Sequence, residues 1–292
     1  MIEWTGIEVL YWFQSLRESA PPIQSFFLLI SSSVIYLAMP LMIACVFYWL
    51  VDKRAGEIIS LSFISAMVFA SLAKFGIAQP RPWDIDPNLE KVPWTHASGY
   101  SCPSGHAAIT SSAFGATALL GGSRKVAIAM VILIILVSLS RIVLGVHTPL
   151  DVAIGLLIGL VSIPLASKAV DLSYRSDGMF YLVHAIYIVI FTVLFIITGI
   201  LWGASLWEAL QYSGFVYGLA IARILEHAFV RFEIRDWSNK EKLLRYFAGM
   251  LIGATLLLAP SAYIPTVGNI IGGFLIMLWC FCIYPWVMVR SS

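Results

Sequence analysis

Charged residues are scarce in this chain of 292 residues, at 12% of the sequence, whereas apolar residues make up 60%. Soluble domains average about 25% charged and about 45–50% apolar residues. The formal net charge of +2 is too small to indicate a nucleic-acid partner. With a mean hydropathy of +0.90, the composition predicts an integral membrane protein with several spans.

Cysteine is also rare, and its placement supports neither a disulfide framework nor a zinc site. Cys45, Cys280 and Cys282 lie in apolar runs, and only Cys102 lies in a polar loop. Residues 1–20 mix charges with aromatics and lack the charged start and apolar centre of a cleavable signal peptide, so we expect none. They place apolar side chains at roughly helical spacing, and we assign residues 1–25 to a helix lying at the membrane surface.

Long apolar runs are abundant. A transmembrane helix needs about 20 mainly apolar residues. We therefore predict an all-α bundle of about nine membrane-spanning helices. The nine segments are Phe26–Leu50, Ile58–Ile77, Ser104–Gly121, Val126–Leu144, Leu150–Val170, Met179–Trp202, Leu206–Leu225, Leu244–Ile264 and Val267–Met288.

Lysine and arginine are concentrated on one side of these predicted spans, which is the side expected to be cytoplasmic. The other side holds Arg17, Lys74, Arg81, Lys91 and Arg141. This bias predicts a protein of the cell (inner) membrane, with its amino terminus outside and its carboxyl terminus in the cytoplasm.

The first polar motif stands at the outer end of the second span, where Lys74 precedes Arg81 and prolines flank the arginine. Taken alone, these cations are best interpreted as snorkelling to the lipid headgroups. They also suit one phosphate group, because arginine offers a planar fork to its oxygens and lysine a point charge.

The second motif, Pro103-Ser104-Gly105-His106, comes directly before an apolar helix. Ser104 fits an ordinary N-cap. The same helix start presents unpaired backbone N–H groups to an anion, which makes it a seat for phosphate. Gly105 lets the backbone come close to that anion, and His106 reaches into the same space. The segment alone leaves both interpretations open.

The third motif lies between Arg141 and Asp151. The stretch from Thr148 onward is typical of a simple helix start. That interpretation leaves Arg141 and His147 unexplained, and an unpaired arginine within a span costs about 2.5–3.5 kcal/mol on insertion scales. A histidine held by a carboxylate serves as a nucleophile or proton carrier, and arginine binds oxyanions. This motif favours phosphate chemistry at a membrane face.

Together the motifs resemble the signature of the type 2 phosphatidic acid phosphatase (lipid phosphate phosphatase) superfamily, in the same order and without a substitution. The matching residues are Lys74, Arg81-Pro82, Pro103-Ser104-Gly105-His106, Ser140-Arg141, His147 and Asp151. The resemblance covers roughly residues 60–165. It assigns residues 26–170 to a phosphatase core of five spans and leaves residues 171–292 as four further spans of unknown role.

The resemblance implies hydrolysis through a phosphohistidine on the non-cytoplasmic face. In this mechanism His147 is the nucleophile, Asp151 orients its ring, and His106 protonates the leaving oxygen and then activates water. The phosphate oxygens are held by Lys74, Arg81, Ser104, Gly105 and Arg141.

Fixed cations take the place of a metal in this mechanism, so neither a metal nor another cofactor is expected. We expect Asp84, Asp86 and Glu90 to form a solvated loop rather than a magnesium site. The expected partner is a membrane lipid carrying a phosphate or diphosphate, in the bilayer. The sequence does not predict the oligomeric state.

Two other functions remain open. A lipid phosphotransferase uses the same intermediate and differs only in the acceptor. A membrane transporter is the alternative of another class, although transporters carry polar groups at mid-depth. Outside the motifs, Arg223, Glu226 and His227 have the spacing of residues that pair on one helix, or they mark the cytoplasmic boundary.

Overall fold

The computed structural model describes residues 6–95, 97, 99–202, 210–263 and 265–291. Its regular elements in these residues are all helical, which confirms the predicted all-α class. The helices are α1 Ile7–Ser19, α2 Pro21–Ile30, α3 Met39–Val46, α4 Lys53–Ile77, α5 Pro82–Ile85, α6 Gly105–Leu120, α7 Arg124–Val143, α8 Pro149–Ser173, α9 Asp177–Trp202, α10 Ser213–Leu225, α11 Asn239–Tyr263, α12 Pro265–Leu278 and α13 Tyr284–Arg290. Short π-helical segments are Val34–Ala38, Phe47–Val51, Glu226–Val230 and Trp279–Ile283.

Seven helical segments within the described residues are long and apolar enough to cross a membrane. They are Pro21–Val51, Lys53–Ile85, Arg124–Val143, Pro149–Ser173, Asp177–Leu201, Ser213–Val230 and Val267–Arg290. The protein is therefore an integral membrane protein, whereas the predicted count of nine spans is not confirmed. Residues 206–209 and 264, at the edges of two predicted spans, lie outside the described residues.

The third predicted span, Ser104–Gly121, corresponds to α6, which has only 16 residues. At a rise of about 1.5 Å per residue, this helix reaches about 24 Å, less than the hydrocarbon core of a bilayer. The residues from His106 to Thr117 are all buried. Their apolar character is explained by packing against protein rather than by exposure to lipid.

The chain forms two compact units. Unit 1 comprises residues 1–41 and 65–165, and unit 2 comprises residues 42–64 and 166–292. Each unit combines segments that are distant in the sequence. The sequence predicted three functional parts: residues 1–25, residues 26–170 and residues 171–292. This division stays a prediction.

In unit 1, α6 packs closely against α7 and against the start of α8. A Cβ atom at Gly155 would lie 2.4 Å from the carbonyl oxygen of Ser104. Only glycine permits this approach, which holds the amino-terminal end of α6 next to α8. Helices α1 and α2 also pack against α7, so the N-terminal segment is part of the unit.

In unit 2, a buried ion network joins residues distant in the sequence. Arg223 lies 2.6 Å from Glu57 and also pairs with Glu226, and Lys53 donates to Glu226 at 2.7 Å. The pairing of Arg223 with Glu226 was one of the two interpretations left open by their spacing. His227 contacts a different carboxylate, with its Nε2 atom 3.1 Å from Oδ1 of Asp177.

Candidate active site

The Lys74 side chain extends from the last turn of α4 toward the loop that precedes α6. Its Nζ donates to the carbonyl oxygen of Tyr100 at 2.5 Å and to that of Ser101 at 3.2 Å. Both acceptors are neutral backbone oxygens. The amino group is therefore held in place by uncharged partners.

Arg81 precedes the short helix α5, and its buried guanidinium spans two loops. Its Nε donates to the carbonyl of Gly99 at 2.9 Å, and Nη1 donates to that of Val146 at 3.0 Å. The same Nη1 lies 3.2 Å from Nε2 of His147. The first and third sequence motifs therefore meet at this pair of side chains.

Arg141, in the last turn of α7, has no exposed surface. It donates through Nη1 to the hydroxyl of Ser31 and through Nη2 to the carbonyl of Thr95 at 2.9 Å. Its Nε has no partner within the described part of the chain. A buried N–H without an acceptor is costly, and an oxyanion would satisfy it.

The other ring nitrogen of His147, Nδ1, faces a carboxylate and a hydroxyl. It lies 3.5 Å from both Oδ2 of Asp151 and Oγ of Ser101. Ser101 donates to Oδ2 of Asp151 at 2.6 Å. The polar contacts at Nδ1 orient the imidazole and leave Nε2 facing the cation at Arg81.

Asp151 also stabilises the start of α8. Its Oδ2 accepts the backbone N–H of Thr148 at 2.8 Å, and its own N–H donates to the hydroxyl of Thr148 at 3.3 Å. This reciprocal arrangement is a capping box. The helix-start interpretation of this segment and the catalytic one are therefore compatible.

The protonation state of His147 follows from its surroundings. Burial, and then the positive charges of Arg81, Lys74 and Arg141, lower the pKa of His147 well below its usual value. The ring is therefore neutral at pH 7, the form in which Nε2 carries a lone pair. The charge of His106 also lowers the pKa of His147, so the two histidines are close enough to interact electrostatically.

The amino-terminal end of α6, where an anion seat is predicted, combines a buried hydroxyl with open space next to the following residue. Ser104 stands at the N-cap position but makes no side-chain capping bond, and its fully buried hydroxyl has no partner among the described residues. A Cβ atom at Gly105 would meet no atom within 4 Å, so there is open space beside this residue. A helix amino terminus with open space beside it suits a phosphate.

His106, in the first turn of α6, is held by the N-terminal part of unit 1. Its Nε2 lies 3.2 Å from the carbonyl oxygen of Ser31, and its ring stacks on Tyr36 with centroids 3.7 Å apart. If Nε2–H donates to this carbonyl, the proton that exchanges during a reaction is on Nδ1. Ser31 also contacts Arg141, so one residue positions two of the predicted site residues.

Cys102 lies beside the site but is unsuited to nucleophilic attack. Burial, and then the negative charge of Asp151, raise the pKa of its thiol to about 12. A thiol is weakly nucleophilic until it ionises. Of the two neighbouring groups, the neutral imidazole of His147 is the better nucleophile at pH 7.

Two of the acidic loop residues, Asp86 and Glu90, contact side chains of α1. Tyr11 donates to Asp86 at 2.5 Å, and Glu90 lies 3.4 Å from the guanidinium of Arg17. In the residues that the structure describes, no group of three or more His, Cys, Asp or Glu side chains is placed to hold a metal ion. These contacts connect α1 with the loop that follows α5.

The structure thus brings residues of all three motifs into unit 1, with direct contacts between Arg81 and His147 and between Asp151 and Ser104. Sequence reasoning missed Ser31, Tyr36 and Ser101. Only Ser101 stood close to a motif. The other two are separated from the motifs by more than 30 residues, and their roles depend on tertiary packing.

These features define a helical membrane protein with a buried, cation-rich site around a neutral histidine. Two family models match the chain: the PAP2 superfamily over residues 56–175, and the PAP2 superfamily phosphatase transmembrane extension over residues 210–292. The chain belongs to the PAP2 superfamily, which confirms the resemblance inferred from its motifs.

A relative from Sulfolobus acidocaldarius, described as an undecaprenyl-diphosphatase, is 39% identical over 110 residues. The match covers 37% of this chain and 51% of the relative, so the chain spans about half the length of that protein. No solved structure matches the chain.

Proposed function

We propose that this protein is an integral membrane phosphatase that hydrolyses a lipid phosphate or diphosphate monoester through a phosphohistidine at His147. The observation that carries the proposal is the 3.2 Å separation between Nη1 of Arg81 and Nε2 of His147. A phosphate bound by this guanidinium has its phosphorus beside the ring nitrogen that holds the lone pair. Membership of a superfamily whose extension model is described as a phosphatase supports the same reaction.

In the first step, the Nε2 lone pair of His147 forms a bond to phosphorus as the bond between phosphorus and the leaving oxygen breaks. His106 donates its proton to that oxygen, which becomes the alcohol of the lipid or, from a diphosphate, the lipid monophosphate. Asp151 and Ser101, beside Nδ1, stabilise the positive charge that develops on the ring.

In the second step, water attacks phosphorus and the bond from phosphorus to Nε2 breaks, which restores the neutral imidazole. His106, now neutral, takes the proton from that water. Inorganic phosphate leaves, and the histidine is again protonated for the next cycle. One group thus acts first as general acid and then as general base.

The equatorial oxygens require positive charge and hydrogen-bond donors in both steps. The proposed donors are Lys74, Arg81, Ser104, Gly105 and Arg141. Arg141 Nε and the hydroxyl of Ser104 are both buried and without a partner in the part of the chain described. Because these fixed groups supply the charge stabilisation, we propose that no metal is required.

We propose a polyprenyl diphosphate as the first substrate to test. The relative described as an undecaprenyl-diphosphatase motivates this choice. Other lipids with an exposed phosphate, including phosphatidic acid, remain in the same class. A lipid is favoured over a soluble ester because the site is built on helices that cross the membrane.

We further propose that the site lies on the non-cytoplasmic face of the cell membrane, with the carboxyl terminus in the cytoplasm. The distribution of lysine and arginine supports this orientation. Cysteine-scanning with an impermeant reagent on intact cells tests it. Labelling of an introduced Asn88→Cys from the outside is expected, and labelling only after lysis would contradict the orientation.

Phosphate release by detergent-purified protein, measured across a panel of lipid phosphates with EDTA present, tests the reaction. We expect release from at least one lipid substrate, unaffected by the chelator. Activity that disappears with EDTA and returns with magnesium would overturn the metal-free mechanism. Transfer of phosphate to an added alcohol in preference to water would identify a phosphotransferase.

The nucleophile is tested with His147→Ala, for which we expect a fall in phosphate release of at least about 10³-fold, as expected when a covalent nucleophile is lost. An acid-labile phosphoenzyme, trapped from a ³²P-labelled substrate, should be present in the wild type and absent in the variant. His227→Ala is the matched control, because this histidine contacts Asp177 in unit 2. A phosphoenzyme in His147→Ala would refute the assignment.

A further inference from the structure

The loop that contains the proposed nucleophile begins with a cap on the carboxyl-terminal end of α7. The N–H of Gly145 donates to the carbonyl of Ile142 at 2.9 Å. The N–H of Val146 donates to the carbonyl of Arg141 at 3.1 Å. With Gly145 in the left-handed region at a φ of +69°, these two bonds form a Schellman motif. This cap sets the direction in which the chain leaves α7 toward His147.

The carbonyl of Val143, the last residue of α7, accepts a hydrogen bond from a different helix. The last four carbonyls of a helix need partners outside its regular bonding, and the Schellman motif supplies partners for two of them. The Val143 carbonyl is bonded to Nη1 of Arg17, which lies 126 residues earlier in the chain, on α1. A cation at this position also interacts favourably with the negative end of the helix dipole. Arg17 therefore adds to the cap of α7.

The guanidinium of Arg17 packs directly against this turn. Its side chain is 1% exposed, and a Cβ atom at Gly145 would lie 3.7 Å from Nη1 and 3.9 Å from Nη2. Nη2 lies 3.4 Å from Oε2 of Glu90. One arm of the fork thus binds the end of α7 while the other contacts a carboxylate, an arrangement that the planar guanidinium permits.

Further hydrogen bonds hold α1 against the loop that follows α5. Tyr11 donates to Asp86 at 2.5 Å, and Nε2 of Gln14 donates to the carbonyl of Asn88 at 3.3 Å. Oε1 of Gln14 accepts the N–H of Glu90 at 2.9 Å. Because α1 is bonded to this loop at several points along its length, the position of its arginine is well determined.

The amino-terminal end of α1 meets the other end of the nucleophile loop. A Cβ atom at Gly6 would lie 2.7 Å from Cδ of Pro149, the first residue of α8, so the backbone at Gly6 is in close contact with the proline ring. Helix α1 therefore contacts the chain before His147 through Arg17 and after it through Gly6. The nucleophile lies between two points that α1 holds.

We propose that α1 belongs to the catalytic machinery and that Arg17 is a positioning residue for the nucleophile. Arg17 holds the end of α7 so that the following loop keeps Nε2 of His147 at 3.2 Å from Nη1 of Arg81, where the phosphate is proposed to bind. It acts through the loop and not by contact with the substrate. The inference rests on the proposed function, because it assigns a role in the same reaction.

Hydrogen exchange, measured by mass spectrometry on full-length protein in lipid nanodiscs, tests the positioning without a need for activity. Arg17→Met should make the amides of residues 144–148 exchange at least about tenfold faster, because the loop opens locally more often. The matched control is Arg54→Met, since Arg54 pairs with Asp171 in unit 2 and should leave this exchange unchanged. Wild-type exchange in folded Arg17→Met would overturn the proposal.

Steady-state kinetics tests the consequence for the reaction. Arg17→Met should lower kcat about ten- to hundredfold, as expected when a reacting atom is displaced by about 1 Å. KM should change by less than about threefold, because the proposed phosphate donors are intact. The acid limb of the pH profile should stay in place, since Arg17 is assigned to the course of the loop and not to the charge of the imidazole. A shifted limb with unchanged kcat would contradict this assignment.

Rescue by a conservative variant separates the hydrogen bond from mere packing. Arg17→Lys retains a cationic donor for the carbonyl of Val143 and should be at least about fivefold more active than Arg17→Met. Equal activity of the two variants would contradict the role of this bond.

A double variant keeps the proposal testable if Arg17→Met does not fold. Tyr11→Phe combined with Gln14→Ala removes contacts that dock α1 and leaves the arginine in place. Exchange of residues 144–148 should then rise about threefold, a smaller effect of the same kind. Wild-type exchange in the folded double variant would refute the role of α1.

The two proposals fail in different ways. Faster exchange in Arg17→Met, together with a wild type that releases no phosphate from any lipid, would overturn the phosphatase proposal and with it the catalytic role of α1. An active wild type whose kcat is unaffected by Arg17→Met would overturn the role of Arg17 alone.

Discussion

The hydroxyl of Ser101 lies between Asp151 and His147, bonded to the carboxylate at 2.6 Å and 3.5 Å from the imidazole Nδ1. The carboxylate is itself 3.5 Å from that nitrogen. Ser101 and Asp151 together therefore form the polar contacts at Nδ1 of His147, the proposed nucleophile. The sequence motif identifies only Asp151, because Asp151 is four residues from His147 whereas Ser101 is distant from it in the sequence.

Ser101→Ala should reduce kcat about tenfold, because the aspartate loses a hydrogen bond and the orientation of the imidazole becomes less well defined. Substitution of a positioning group has a smaller effect than loss of the reacting group. The measurement is steady-state phosphate release, with Ser138→Ala as control, since Ser138 lies on α7 and its buried hydroxyl has no partner in the described residues. Equal activity of Ser101→Ala and the wild type would exclude this role.

Tyr36 should position His106 through its ring rather than its hydroxyl, because the two rings stack with centroids 3.7 Å apart. Tyr36→Phe is therefore expected to keep near wild-type activity, whereas Tyr36→Leu should lower kcat about five- to twentyfold with little change in KM. The control is Tyr181→Leu, at an exposed position of α9 away from the candidate site residues. If Tyr36→Phe and Tyr36→Leu lose activity equally, the ring of Tyr36 does not position His106 by stacking.

The pH profile should reflect the charge of Arg81. A lowered pKa keeps His147 neutral as the pH falls, so the acid limb of kcat/KM should lie below about pH 6.5, the ordinary histidine value. Arg81→Gln removes a positive neighbour, which raises the pKa of His147 and moves this limb toward neutral pH. Arg81→Lys retains the positive charge and should shift the acid limb of the profile less than Arg81→Gln does. A limb at the same pH in all three proteins contradicts the electrostatic coupling.

Two glycine substitutions should separate folding from phosphate binding. Gly155→Ala brings a Cβ to 2.4 Å from the Ser104 carbonyl, and overpacking of this kind costs about 1–3 kcal/mol. Thermal unfolding of the purified protein should therefore occur at a lower temperature. Gly105→Ala meets no atom within 4 Å and should unfold like the wild type while raising KM. A destabilised Gly105→Ala with unchanged KM would contradict the open phosphate seat.

The ion network of unit 2 should be essential for stability. Arg223→Met leaves Glu57 and Glu226 buried with one fewer cation, and breaking a buried pair typically costs about 3–5 kcal/mol. Arg54→Met is the matched control, because Arg54 pairs with Asp171 at an exposed position and should change stability by about 1 kcal/mol or less. Thermal unfolding in detergent compares the two variants, and similar midpoints would show that the network contributes little.

Sequence patterns predicted the parts of this structure that depend on local spacing. Apolar runs identified the membrane helices, and the spacing of His147 and Asp151 across a helix start placed their side chains 3.5 Å apart. Patterns failed where tertiary packing decides. Ser31 reaches Arg141 only because α2 packs on α7, a contact that no local spacing reveals. The enclosure of α6 by protein depends on its neighbours in the same way.

The cations of the candidate site are held by neutral oxygens: Lys74 by two carbonyls, Arg81 by two more, and Arg141 by a carbonyl and a hydroxyl. We therefore expect these like charges to repel one another inside the protein, and a bound phosphate or vanadate to relieve that repulsion. Occupancy should consequently make the protein more resistant to heat. In the proposed reaction inorganic phosphate is the last product to leave, and the same attraction would retain it, so we expect product release to limit turnover.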